Sequence, residues 1–85
     1  MDAITAAVRA YILEEFMPGK DPAKLTEAAP LITSGILNSL TTLQLVGFLE
    51  QQYGIKIGAH EANVDYLNTI GNIAALVRSK QSADR

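Results

Sequence analysis

Three stretches of this chain repeat apolar residues every three to four positions, and glycine, proline or a polar cap stands at the breaks between them. That period belongs to helices with one buried face. In the first stretch, from about Ala3 to Met17, Ile4, Val8, Ile12 and Phe16 recur at strict four-residue spacing, and Tyr11 and Leu13 widen the stripe. Met17-Pro18-Gly19 ends it, because proline disfavours the helical conformation in its predecessor and glycine frees the turn. The second helix is expected from Asn38 or Ser39 to about Tyr53, with Gly54 as its left-handed stop. Ile55-Lys56-Ile57 reads as a short extended piece, and a brief third helix is expected around Glu61 to Tyr66. Thr69 can cap a fourth helix carrying Ile70, Ile73, Ala74 and Val77 on one face, with Leu76 beside it. The polar tail from Ser79 to Arg85 is expected to fray. The expected fold is therefore all-α, a small four-helix bundle of three main helices and one short one.

The connection from Lys20 to Asn38 carries Pro22, Pro30 and Gly35 and shows no periodicity. Loops longer than about 12–15 residues are uncommon in compact domains and are usually functional or disordered. Leu31, Ile32, Ile36 and Leu37 give this one apolar anchors, so it is expected to pack down onto the helices.

With 85 residues, a single domain over 1–85 is expected, and 48% apolar residues suffice for a globular core. The net charge is −2 and the seven basic residues are dispersed. No basic stripe invites nucleic acid. No cysteine is present, so disulfides and thiolate metal sites are excluded. The N-terminus lacks the pattern of a secretory signal, and no stretch approaches the ~20 apolar residues of a membrane span. A cytoplasmic monomer is expected.

The second helix has more apolar surface than one stripe can use. At about 100° per residue from Ser39, Leu45, Val46, Leu49 and Tyr53 fall between about 240° and 340°. Leu40, Leu43 and Gly47 form a separate arc at about 40° to 100°, on the side of Ser39. Such an arc is either buried or kept exposed for a partner, and an 85-residue bundle favours the exposed patch. Gly47 costs about 1 kcal/mol relative to alanine inside a helix, which suggests a close approach there, by a partner or by the long loop.

Ser39 itself stands where the polar loop becomes the helix. The chain holds one histidine, His60, and no Ser-x-x-Lys pattern, so nothing obvious activates a nucleophile. Its hydroxyl is either an ordinary cap or a group displayed for another enzyme to modify. His60 with Glu61 and Asp65 could suggest a metal site, but the more ordinary reading is a polar surface. Glu14-Glu15 reads as a solvated face.

The block Leu31-Ile32-Thr33-Ser34-Gly35-Ile36-Leu37-Asn38-Ser39-Leu40-Thr41-Thr42-Leu43-Gln44-Leu45-Val46, continued through Leu49-Glu50 to Tyr53-Gly54-Ile55-Lys56-Ile57, resembles the acyl and peptidyl carrier proteins. Asn68-Thr69-Ile70-Gly71-Asn72-Ile73-Ala74-Ala75-Leu76-Val77 resembles their last helix. The resemblance implies that the chain is no enzyme. It implies that Ser39 is the attachment point of 4′-phosphopantetheine, transferred from coenzyme A by a phosphopantetheinyl transferase. Cargo would ride on the arm's thiol as a thioester, loaded by an acyl- or aminoacyl-ligase and passed to downstream transferases. Leu40, Leu43, Gly47 and Glu50 would then meet those partners.

Two departures from the family's pattern bear on this. The residue before the serine is usually aspartate and here is Asn38, which keeps a capping side chain and removes a charge. The second helix is usually acidic in carriers of fatty-acid synthesis, and here Gln44, Gln51 and Gln52 leave Glu50 as its only acid. Weak charge implies weak electrostatic steering and a larger share for the apolar patch. The expectation is a stand-alone carrier in a specialised pathway, loading an amino acid or a small acyl group. The alternatives are a housekeeping fatty-acid carrier, or a helical adaptor that uses the patch and never carries an arm.

Overall fold

A computed structural model describes residues 3–17, 19, 23 and 25–83. Pro18 and Pro22, expected to shape the start of the long loop, lie outside the described residues. Among those described there are four α-helices and no strand: α1 (Ala3–Phe16), α2 (Ser39–Tyr53), α3 (Val64–Leu67) and α4 (Ile70–Ala83). A 3-10 turn, Ala59–Glu61, precedes α3.

The helix α4 is the hub, packing against α1, α2 and α3. Its Ile70, Ile73 and Val77 are fully buried, with Ala74 and Leu76 nearly so. They join Val8 and Ile12 of α1 and Leu45, Val46 and Leu49 of α2 in one apolar cluster. The ends of the α1 stripe, Ile4 and Phe16, are half-buried at its rim. Tyr11 leaves the stripe to stack on Phe48 of α2, with ring centroids 3.9 Å apart and planes within 9°. This pair closes the side of the bundle where α1 and α2 meet.

The long loop is packed down, as its apolar residues demand. Leu31 and Leu37 are buried in the core cluster, while Ile32 and Ile36 are half-buried beside it. Leu25, at a point without periodicity, is buried as well, and the Arg9 side chain donates to its carbonyl at 3.0 Å. A turn over 32–35 is closed by Gly35 N–H to the Ile32 carbonyl at 3.1 Å. Gly35 has φ +87°, a conformation that residues with a Cβ rarely adopt, so glycine suits the last bend before α2.

The piece Ile55-Lys56-Ile57 is non-helical, with Ile55 and Ile57 buried and Lys56 exposed between them. Two local expectations differ from the structure. The short helix begins at Val64 rather than Glu61, because the Asn63 side chain caps it by accepting from Asp65 N–H at 2.9 Å. Helix α4 continues through Ser79 to Ala83, where a frayed tail was expected. The Lys80 ammonium lies 2.6 Å from the Glu61 carboxylate and ties this last part of the helix to the 3-10 turn. Asp84 and Arg85 lie outside the described residues.

Candidate functional site

The site is built around the first turn of α2. Asn38 is its cap, with extended backbone, and its side-chain oxygen accepts from Thr41 N–H at 2.9 Å. Thr41 returns the favour, its hydroxyl oxygen accepting from Asn38 N–H at 2.8 Å. This reciprocal box satisfies two backbone donors at once. Cap and display are thus divided between neighbours: Asn38 takes the capping, and Ser39, one residue on, is exposed and spared for something else. The N–H groups of Ser39 and Leu40 stand in the first turn, where no preceding helical carbonyl can reach them. They present partial positive charge beside the Ser39 hydroxyl.

Ser39 borders a groove of about 610 Å³ that runs from the end of the long loop to the start of α3. Its walls include Ile32, Leu43, Ala62 and Val64, with Asn38 and Asn63 as polar points. A hydroxyl at the mouth of a mostly apolar groove suits a long, flexible substituent that carries an apolar end. The residues present therefore fit a phosphodiester-linked arm: the first-turn N–H groups would face its phosphate, and the groove could shelter what it held.

Leu40 and Leu43 are exposed, at 65% and 64%. Gly47 is exposed beside them, and among the described residues no other part of the chain lies within 4 Å of the place where its Cβ would be. Among those residues, the close approach expected at Gly47 is made neither by the long loop nor by another helix. Val64 and Tyr66 of α3 are exposed too, the former across the groove. The four-residue α3 is too short for periodicity to reveal a face, so neither residue stands out in sequence.

Glu50, expected on the docking face, is half-buried, and its carboxylate oxygen accepts from Ile57 N–H at 2.8 Å. It reaches over the C-terminal end of α2, where Gly54 (φ +64°) turns the chain back, and holds the 55–57 segment. That carboxylate is the one charge on α2, so the exposed face of the helix is neutral, with Gln44, Gln51 and Gln52 at the surface.

His60, Glu61 and Asp65 do not come together as ligands, and among the described residues no cluster of such side chains could hold a metal ion. The Glu61 carboxylate is instead held below the usual carboxylate range, first by its hydrogen bond with Lys80 and then by that from Gly58 N–H. His60 is exposed, 4.0 Å from Glu61. Among the described residues no helix is long and apolar enough to cross a membrane.

No family model matches the chain. It is 29% identical over 79 residues to a protein named Acyl carrier protein from Thermotoga maritima, in an alignment covering 93% of each. The likeness thus extends well beyond the block around Ser39, through every helix described above.

Proposed function

We propose that this relative of the acyl carrier proteins is itself a carrier and not an enzyme, and that Ser39 is where its arm is attached. In the modification, the Ser39 hydroxyl oxygen bonds to the pantetheine-bearing phosphorus of coenzyme A. The phosphoanhydride bond breaks, 3′,5′-ADP leaves, and the hydroxyl proton passes to a base of the phosphopantetheinyl transferase. The chain's own part is to present the hydroxyl, to face the new phosphodiester with the first-turn N–H groups, and to offer the groove to the load. When bound, the 4′-phosphopantetheine supplies the thiol that a cysteine-free chain lacks. The observation that carries this reading is the division of labour at the helix start, with Asn38 capping and Ser39 left exposed at the groove.

Intact mass after incubation with coenzyme A and a broadly tolerant transferase tests it. One added phosphopantetheine, absent from Ser39→Ala, is expected. An addition that persists in the alanine variant overturns the assignment. No addition to either the wild type or Asn38→Asp, which restores the family's usual residue, leaves a helical adaptor.

For the partners, Leu40, Leu43 and Gly47 are the docking face, and the neutral surface of α2 supports a specialised carrier loaded by a dedicated acyl- or aminoacyl-ligase. Because the modification draws on coenzyme A, the cytoplasm is the compartment in this reading, with the carrier a monomeric domain over 1–85. Loading enzymes for fatty-acyl and aminoacyl groups, competing for one modified sample at rising salt, separate the possibilities. A dedicated ligase should win with a shallow salt dependence. Efficient malonyl charging that falls steeply with salt restores the housekeeping carrier.

A further inference from the structure

The structure assigns to Asn68 the part of positioning residue for Ser39, an inference that rests on the carrier reading above. Asn68 lies between α3 and α4, far along the chain from the serine. Its side-chain oxygen nonetheless accepts from two successive amides of the long loop, Ile32 N–H at 2.9 Å and Thr33 N–H at 3.1 Å. Its main-chain carbonyl accepts from a third, Leu31 N–H at 2.6 Å. Three consecutive donors of the loop thus end on one residue of the hub.

The consequence reaches Ser39 in short steps. Leu37 N–H donates to the Leu31 carbonyl at 2.8 Å, closing 31–37 into a loop whose two ends are buried in the core. The next residue is the cap Asn38, and the one after it is Ser39. Ile32 is also a wall of the groove that Ser39 borders. Fixing Leu31, Ile32 and Thr33 therefore fixes where the hydroxyl stands relative to the groove. Aspartate places a side-chain oxygen with two lone pairs at the same reach and can accept from both amides, whereas alanine offers none. The backbone of Asn68 is ordinary, φ −75° and ψ −20°, so alanine fits there without strain.

The test compares Asn68→Ala with Asn68→Asp, which keeps the acceptor. In steady-state modification by the transferase, Asn68→Ala should lower kcat by about 10- to 100-fold, because a misplaced nucleophile loses orientation. KM for the carrier should stay within about twofold, since Leu40 and Leu43 are untouched. Amide exchange at Ile32 and Thr33 should quicken by about tenfold or more. Asn68→Asp should restore both. A wild-type kcat in Asn68→Ala, or no rescue by Asn68→Asp, overturns the proposal. Should circular dichroism show Asn68→Ala unfolded, Asn68→Ser, with one shorter acceptor, takes its place under the same readouts. If neither the wild type nor Asn38→Asp accepts the arm, the carrier reading falls separately. Amide exchange and the backbone resonances of Ser39 and Leu40 then decide the positioning: displacement in Asn68→Ala with return in Asn68→Asp upholds it, and unchanged resonances refute it.

Discussion

Helices α2 and α4 are nearly the same length, 15 and 14 residues, yet they spend their apolar residues differently. Helix α4 touches every other helix, and Ile70, Ile73, Leu76 and Val77 are all buried there. Helix α2 lies at the edge. It buries Leu45, Val46 and Leu49 and leaves Leu40 and Leu43 mostly in solvent. Burying one such leucine fully is worth about 1.5–3 kcal/mol, so the exposed pair marks stabilisation that folding leaves unused and a partner can take up. Helix α4 thus spends its apolar residues on the core, whereas α2 divides them between a buried stripe and an exposed patch.

Four substitutions, three on α2 and one at its cap, sharpen or break this contrast. Leu49→Ala removes a fully buried side chain and should cost about 2–5 kcal/mol in denaturant unfolding. A cost below about 1 kcal/mol would mean that α2 is less firmly built into the core than its burial indicates. Asn38→Ala deletes the reciprocal cap and should cost about 1 kcal/mol, with the loss appearing as faster amide exchange in the first turn. Gly47→Ala has the opposite sign. The position is helical and open above, so alanine should raise stability by about 0.4–1 kcal/mol, read as a higher denaturant midpoint at unchanged slope. If it also slows cargo transfer, the glycine serves a partner and not the fold. The smallest effect on stability is expected from Leu43→Asp, within about 0.5 kcal/mol, because the side chain is exposed. Transfer to or from partner enzymes should nevertheless weaken. Loss of helicity by circular dichroism in this variant would show that Leu43 belongs to the core and end the contrast.

Much of this was legible in the chain itself. The limits of α2 follow from Asn38 and Gly54, and those of α1 from its four-residue spacing, because caps and periodicity act within a turn or two of the residues that carry them. The two arcs of α2 were separable for the same reason, and the structure buries one and exposes the other. What escaped was non-local. Nothing around Glu50 told that its carboxylate would accept from Ile57 N–H, beyond the end of the helix. Ser79 to Ala83 looked like a tail because Glu61, to which Lys80 is tied, is remote in sequence. Asn68 gave no sign of its hold on the loop, since its partners at Ile32 and Thr33 are 36 and 35 residues away.

The chain by itself determined that it would be helical, that its second helix would begin at Asn38 and Ser39, and that this helix would carry more apolar surface than one core face needs. Those are properties of spacing, capping and residue type, and they require only neighbours in sequence. Only the tertiary structure decided which helix became the hub, that the long loop would be held from the α3–α4 junction, and that Ser39 would face an apolar groove. Each of those outcomes depends on a hydrogen bond or a packing contact between distant segments. Such pairs carry no periodicity and are chosen together, when the core closes and every buried amide must find an acceptor.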